Sequence, residues 1–166
     1  MTYTTTKDAA AEVRAALKAK GWNARAVSVR TDYYSGGSSL DVTIRDPRVP
    51  LAVVERIAKG SERIHRCEIT GETLAGSNRY VSVRYTPEAT AALSAPLLPA
   101  LATTAERLAA LPDGHGLDVD GVPGAVLFKG TNGYGFVVYL NDARLMEHNT
   151  LAGAAYGLAV ASQVAK

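Results

Sequence analysis

VSVRTDYYSGGSSLDVTI, residues 27–44, is the stretch that decides the fold. At its start Val27 and Val29 alternate with polar residues, and at its end the apolar residues at 40, 42 and 44 do the same. Such alternation in β-prone residues is typical of half-buried strands. The segment between them, 32–39, contains two adjacent glycines, which accept backbone angles that other residues resist. The stretch is therefore predicted to be a β-hairpin.

A helix is predicted on each side of this hairpin. Before it, the spacing of Thr5 and Asp8 is typical of a capping box, and apolar residues then recur at helical spacing, which predicts a helix over roughly 7–20. After it, Pro50 suits the first position of a second helix that ends at Gly60. The apolar stripe of this second helix consists of Leu51, Val54 and Ile57.

A second hairpin is predicted farther along the first half. The residues that share a face are His65, Cys67 and Ile69 on one strand and Val81, Val83 and Tyr85 on the other, and residues 71–78 connect the strands. The order of elements is then helix-strand-strand-helix-strand-strand. It predicts an α+β fold in which an antiparallel four-stranded sheet carries both helices on one face, because that arrangement buries the apolar side chains of every strand at once.

The amino-acid composition of the sequence changes after Pro87, and the chain is predicted to divide into an α+β domain, 1–87, and a smaller unit, 88–166. In the smaller unit, Pro96 and Pro99 are expected to interrupt an Ala- and Leu-rich helix. A helix, a β-hairpin that turns at Asn132-Gly133 and an Ala/Gly-rich last helix follow. Their predicted ranges are 105–111, 125–129 with 136–140, and 151–165.

The composition excludes several classes of protein. With 47% hydrophobic and 20% charged residues, the 166-residue chain falls in the globular range. The single cysteine, Cys67, excludes an internal disulfide and Cys-rich zinc sites and favours a reducing compartment. The first seven residues lack the apolar core of a secretory signal, and the longest apolar run, 151–161, has eleven residues. Because a membrane-spanning helix needs about 20, a cytoplasmic protein without a membrane partner is predicted.

Charge is unevenly distributed along the chain. Residues 1–86 contain fourteen Lys and Arg against nine Asp and Glu, whereas residues 87–166 contain four against seven. The first part is therefore net basic, by +5, and the second net acidic, by −3. A mildly basic first half permits an anionic partner such as nucleic acid.

The candidate binding surface is the sheet face that the helices leave open. Strand parity is expected to place eight polar residues on it: Ser28, Arg30, Thr43, Arg45, Arg66, Tyr80, Ser82 and Arg84. Guanidinium groups neutralise phosphates and exposed rings stack on unpaired bases, so this face suits nucleic acid. The hairpin tip extends it with Tyr33, Tyr34 and Ser35. The alternative is an ordinary solvated face whose arginines pair across strands with Asp41 and Glu68.

Two segments of the first half resemble a known domain family. They are SVRTDYYSGGSSLDV, residues 28–42, and NRYVSVR, residues 78–84. The resemblance is to the large polyvalent protein associated domain, type twenty-nine, and it covers about residues 8–86. It implies a protein of a phage or plasmid that works inside a bacterial host cell, on host defence or on the incoming DNA. It implies no catalytic residues.

Three other interpretations of the polar residues involve different chemistry. The loop 33–39, rich in glycine and serine, could cradle a phosphate, but a Walker loop needs a lysine and a following helix. His65 and Cys67 could form a nucleophilic couple, but they share the apolar face of their predicted strand. A metal ion could be gathered by His115, Asp118 and Asp120, which lack the remaining ligands of a calcium loop. No cofactor and no metal site is therefore predicted.

The sequence favours a non-enzymatic binding protein that docks on a host or mobile-element macromolecule through the basic sheet face and the hairpin. The predicted contact residues are Arg30, Tyr33, Tyr34, Ser35, Arg45, Arg66, Tyr80 and Arg84. The partner is a host protein or nucleic acid, and self-association through the Ala/Gly-rich last helix is a further option. The alternative is a small hydrolase or nuclease that uses His65, His115 or His148 with converging polar residues.

Overall fold

The computed structural model describes residues 4–74, 76, 78–130 and 135–164. The chain divides into two units, Met1–Ala89 and Thr90–Lys166, and this division lies close to the predicted boundary near residue 88. Each unit contains helices and one β-sheet. The predicted α+β class is therefore confirmed.

The first unit begins with a helix, a β-hairpin and a second helix, as predicted. These elements are α1 (Thr6–Ala19), β1 (Val27–Tyr34), β2 (Gly37–Ile44) and α2 (Leu51–Lys59), and β3 (Asn78–Tyr85) follows them. The predicted capping box starts α1: the Thr5 hydroxyl accepts from the Asp8 backbone N–H, and the Asp8 carboxylate accepts from the Thr5 N–H. The hairpin is tighter than predicted, since only Ser35 and Gly36 separate its strands.

The sheet of the first unit has three strands in the order β1-β2-β3, not the predicted four. β1 and β2 pair antiparallel, whereas β2 and β3 pair parallel, from Gly37 beside Asn78 to Ile44 beside Tyr85. The connection from β2 to β3 includes α2, and a helical crossover of this kind returns the chain to the end of the sheet from which β2 started. The prediction of an antiparallel four-stranded sheet is therefore wrong in strand number and in the direction of the last strand.

The missing strand is the one predicted at His65, Cys67 and Ile69. This part of the chain makes only isolated β-bridges within the described residues, such as the one from Arg66 to Thr73. Instead, backbone hydrogen bonds close a tight turn in which the Cys67 carbonyl accepts from Gly71. Ile69 is 95% exposed and His65 is exposed as well. The predicted shared buried face does not exist, because one isoleucine beside a histidine and a cysteine offers little apolar surface to bury.

The core of the first unit lies between its sheet and both helices. On β2, Leu40, Val42 and Ile44 are fully buried. α1 packs on β1 and β2, and α2 packs on β3. The helices contribute the buried side chains of Val13, Leu17, Val54 and Ala58. Both helices therefore cover the same apolar face, and the side chains of the other parity point away from the core.

The second unit is built on a four-stranded antiparallel sheet with strands in chain order. Its elements are α3 (Pro87–Ser94), which spans the division between the units, α4 (Leu98–Ala109), β4 (Gly116–Asp118), β5 (Ala125–Lys129), β6 (Phe136–Leu140), β7 (Ala143–His148) and α5 (Leu151–Val164). α4 and α5 pack against this sheet around Leu127, Val138 and Leu158, which are fully buried.

The second unit differs from its prediction in several details. β4 and β7 were not predicted, and a tight turn joins β6 to β7 through Asn141 and Asp142, whose φ angles are 50° and 64°. Pro99 does not interrupt a helix but lies in the first turn of α4, where a backbone N–H has no helical acceptor. The turn predicted at Asn132-Gly133 lies outside the described residues. Across the described ranges, none of the helices combines the length and the apolar character that crossing a bilayer requires.

We expect Leu40→Ala to lower the free energy of unfolding of the first unit by about 2–5 kcal/mol, because it removes a fully buried side chain and leaves a cavity. Thr43→Ala, on the opposite face of the same strand, should cost less than about 1 kcal/mol. Urea unfolding followed by circular dichroism measures both. Equal losses for the two variants would contradict the assignment of the buried face.

Candidate functional site

The open face of the first sheet consists of side chains whose parity is opposite to that of the core. Strand pairing places nine of them in three rows, and Tyr34 follows them on β1. The ten residues of the open face are Ser28, Thr43 and Arg84; Arg30, Asp41 and Ser82; Asp32, Ser39 and Tyr80; and Tyr34. The predicted contact residues Arg30, Tyr80 and Arg84 thus lie on one side of the sheet.

Asp41 is at the centre of the open face. Its carboxylate accepts hydrogen bonds from the Ser82 hydroxyl at 2.6 Å and from the Ser39 hydroxyl at 2.8 Å. The hydrogen bond from Ser82 is the main cause that holds the pKa of Asp41 below its usual value, and the bond from Ser39 and the positive charge of Arg84 act in the same direction against partial burial. Asp41 is therefore a fixed negative charge in the middle of the sheet.

The open face carries both signs of charge. Arg30 and Arg84 are exposed at its edges, and Asp32 and Asp41 lie on the same side of the sheet. Among the described residues, no ion pair includes Arg30 or Arg84. The face is therefore less basic than the sequence predicted, but both of its guanidinium groups are available to an incoming anion.

Two exposed tyrosines occupy the hairpin tip. Tyr33 is 55% exposed and Tyr34 is 47% exposed. Tyr34 belongs to the open face, where partial desolvation, Tyr80 and the two aspartates raise the pKa of its phenol. Tyr33 has the opposite parity and lines a small cavity beside the hairpin. Strand parity therefore assigns the two tyrosines to opposite faces of the sheet, and both residues line that cavity.

The cavity at the hairpin end measures about 280 Å³ and contains an inward-facing arginine. Its lining includes Tyr33, Tyr34, Ser35, Ser38, Arg63 and Arg79. The side chain of Arg79 is only 7% exposed, and its guanidinium donates to the carbonyl oxygens of Thr4 and Ser61 and to the Thr6 hydroxyl. Thr6 also shares a 2.8 Å hydrogen bond with the Ser38 hydroxyl. These bonds hold the start of α1 against the start of β3.

Sequence reasoning missed Arg79 and Arg63 as part of this cavity. The parity of β3 contained a signal for Arg79, because this arginine occupies the same inward phase as Val81 and Tyr85. A charged residue at an inward position is expected to have dedicated hydrogen-bond partners. Arg63 gave no such signal, since it lies outside the named strands and pairs with Arg79 through an isolated bridge.

Two predicted contact residues lie away from the open face. Arg66 is exposed in the turn segment after α2, where its guanidinium donates to the Gly71 carbonyl at 3.3 Å. Its predicted place on the sheet is wrong, because that segment is not a strand. Arg45 follows the end of β2 and is exposed, with a contact of 3.5 Å to the Ala24 carbonyl. It belongs to a cleft at the far end of the sheet from the hairpin.

The residues of the three other interpretations lie as follows. The hydroxyl of Ser38 in the glycine- and serine-rich loop is already bonded inside the unit, to Thr6 and to the Asn78 carbonyl. His115 is exposed, with a ring nitrogen 3.2 Å from the Pro112 carbonyl, and His148 packs against Gly153 and Gly157 of α5. Over the part of the chain that the structure describes, no three His, Cys, Asp or Glu side chains gather as a metal site would require.

A scan of protein-family models found no match for this chain, and searches of the curated proteins and of the solved structures found none either. The resemblance to the polyvalent protein associated domain therefore rests on the segments 28–42 and 78–84 and stays a prediction. In the structure these segments contain every residue of the open face except Thr43. The resemblance and the open face thus concern the same surface.

We expect Ser82→Ala to raise the pKa of Asp41 toward its ordinary value of 3.8, because the Ser82 hydroxyl is the main cause of the lowering. A pKa depressed on folding stabilises the protein above the unfolded pKa, and this contribution is lost as the pH falls through the folded pKa. The variant should therefore lose part of its stability above pH 3.8 and less at lower pH. An NMR titration of the Asp41 carboxyl carbon measures the shift, and Ser28→Ala is the control that should leave it unchanged.

Proposed function

We propose that the chain is a non-enzymatic binding protein of a phage or other mobile genetic element, and that its first unit binds single-stranded nucleic acid on the open face. The observation that carries the proposal is the combination, on one sheet face, of two exposed arginines, Arg30 and Arg84, with the rings of Tyr34 and Tyr80. Cationic groups together with exposed rings are the two features that proteins use to bind single strands without sequence preference.

The arginines are the phosphate contacts in this proposal. Arg30 on β1 and Arg84 on β3 are separated by one strand and by two residues along the strands, which places their backbones about 12 Å apart. Because no described ion pair includes either residue, binding a phosphate does not require breaking one. Each arginine that neutralises a phosphate releases counterions, so the affinity must fall as salt is added.

The tyrosines are the base contacts. Tyr34 and Tyr80 lie at the hairpin end of the open face, and Tyr33, which has the opposite parity, is more than half exposed at the hairpin tip. Stacking of a base on an aromatic ring is worth about 1–3 kcal/mol and requires an unpaired base. This requirement favours a single strand over a duplex.

The two aspartates of the open face limit where a nucleic-acid strand can lie on it. Asp32 and Asp41 repel phosphates, so the sugar-phosphate backbone is expected to follow the arginines and to avoid the centre of the sheet. A carboxylate can accept a hydrogen bond from the amino group of cytosine. Asp41, which is held in place by two serines, is positioned to receive such a group from a base that lies across the face. We therefore expect moderate affinity with a preference for bases that carry amino groups.

The setting in a mobile element comes from the resemblance of residues 28–42 and 78–84 to the polyvalent protein associated domain. In that setting, single-stranded nucleic acid is the incoming DNA or an intermediate of its replication. A host protein, such as a component of a defence system, is the competing partner class. It would contact the same exposed arginines and tyrosines but would bind with no requirement for an unpaired base.

The double variant Arg30→Glu with Arg84→Glu should bind a labelled single-stranded oligonucleotide at least about tenfold more weakly than the wild type, measured by fluorescence anisotropy. Loss of two phosphate contacts should also make the slope of log affinity against log salt shallower by about 1.4. The matched control is Lys7→Glu with Arg56→Glu, which makes the same change in net charge at exposed positions on the helices. Equal weakening by both pairs, or binding by the wild type that does not depend on salt, would contradict the proposal.

Tyr34→Ala should weaken binding of the oligonucleotide about tenfold, since it removes one ring on which a base can stack without changing the charge. Tyr34→Phe keeps the ring and should bind like the wild type. If the two variants lose affinity equally, the phenol rather than the ring makes the contact, and base stacking is wrong. If the wild type binds no oligonucleotide and instead captures one stoichiometric host protein after nuclease treatment, the partner is a protein.

A further inference from the structure

A second site is indicated by a cleft at the opposite end of the first sheet from the hairpin. The cleft has a volume of about 690 Å³ and is lined by the loop after α1 and the loop after β2. These loops meet because Val27 pairs with Ile44. The side chains that give the cleft its chemistry are Trp22, Arg25, Arg45, Asp46 and Arg48. One arginine of the loop after α1 and two of the loop after β2 thus line the same cleft as a tryptophan.

The net charge of the cleft comes from two of these arginines. Arg48 forms a two-point contact with Asp46, with nitrogen-to-oxygen distances of 3.0 Å and 2.7 Å. The side-chain bonds from Arg48, followed by its backbone N–H, lower the pKa of Asp46 to about 2, so this pair is ionised and neutral overall. Within the described residues, no ion pair includes Arg25 or Arg45. Two positive charges therefore face the cleft without a balancing carboxylate.

The walls of the cleft are held in place by hydrogen bonds from backbone N–H groups. The side-chain oxygen of Asn23 accepts from the Arg25 N–H at 2.9 Å, and the Ala26 carbonyl accepts from the Arg45 N–H at 2.8 Å. The second bond ties the two loops to each other. A site with a fixed framework loses less conformational entropy when it binds a ligand, which favours affinity.

Trp22 and the size of the cleft point to the class of ligand. Trp22 is half-buried, and a large flat side chain that is partly exposed beside guanidinium groups is suited to stack on another planar ring. The volume is within the range of small-molecule sites, roughly 300–1,000 Å³, and far exceeds the needs of a lone phosphate. An anionic ligand with a planar ring satisfies both features, and a phosphorylated nucleoside has this combination.

We propose that this cleft binds a phosphorylated nucleoside, with the base against Trp22 and the phosphate between Arg25 and Arg45. The ligand is either a free mononucleotide or the phosphorylated end of a nucleic-acid strand, since both present the same group. The proposal does not depend on the open face, because the cleft is formed by different residues.

Fluorescence of Trp22, the single tryptophan of the chain, reports on occupation of the cleft. We expect adenosine monophosphate to quench it with saturation, and inorganic phosphate or adenosine alone to bind at least about tenfold more weakly, since each makes only part of the contacts. Oligonucleotides with and without a terminal phosphate show whether the ligand is a free mononucleotide or a phosphorylated strand end. Saturation by the mononucleotide assigns the cleft to free nucleotides, and saturation by the phosphorylated oligonucleotide alone assigns it to strand ends.

The double variant Arg25→Gln with Arg45→Gln should weaken binding of the mononucleotide at least about tenfold, because it removes both unbalanced charges. Lys7→Gln with Arg56→Gln, which changes net charge equally at exposed helix positions, should leave the affinity unchanged. Circular dichroism melting of each variant shows that the fold is retained.

The open-face variant Arg30→Glu with Arg84→Glu should keep the response of Trp22 to the mononucleotide, which separates failure of this proposal from failure of the first. Any of three results would overturn the proposal. Inorganic phosphate and the mononucleotide bind with equal affinity, the Arg25 and Arg45 variant keeps the wild-type affinity, or Trp22 responds to none of the probes.

Discussion

The burial of β2 is the constraint on which the first unit depends. This strand lies between β1 and β3, and its residues Leu40, Val42 and Ile44 have no exposed surface. Burial of each such side chain stabilises the fold by about 1.5–3 kcal/mol, and a shift of register by one residue would move all three to solvent. Strand alternation then requires Ser39, Asp41 and Thr43 to point the other way. The open face exists because the core needs the opposite side of the same strand.

The sheet positions different chemistry at its two ends. At the hairpin end, exposed tyrosines stand beside the buried Arg79, whose hydrogen bonds tie α1 to β3. At the other end, pairing of β1 with β2 brings together the loops that contain Trp22 and three arginines. The open face extends between these ends, with Arg30 and Arg84 along it. The two proposals therefore assign ligands of one chemistry, phosphate joined to a planar base, to two separate parts of one sheet.

Features that depend on neighbouring residues were predictable from the sequence, and features that depend on distant contacts were not. The capping box, the first hairpin and the phase of Arg30 and Arg84 follow from local spacing. The parallel course of β3 does not, because alternation gives the face of a residue and not the direction of its partner strand. Arg66 was misplaced because three alternating positions at 65–69 resemble a strand and yet bury little apolar surface. The cleft at Trp22 was missed because only tertiary pairing joins residue 25 to residues 45–48.

Backbone NMR contacts between β2 and β3 distinguish the parallel pairing of these strands from any other. We expect nuclear Overhauser contacts in a parallel register, with Asp41 beside Ser82 and Ile44 beside Tyr85, and no ladder of such contacts from residues 65–69 to any strand. Together with the pairing of β1 and β2, this register places Arg30 and Arg84 on the same side as Asp41. Contacts in an antiparallel register, or a fourth strand at residues 65–69, would contradict the three-stranded sheet and the open face that it forms.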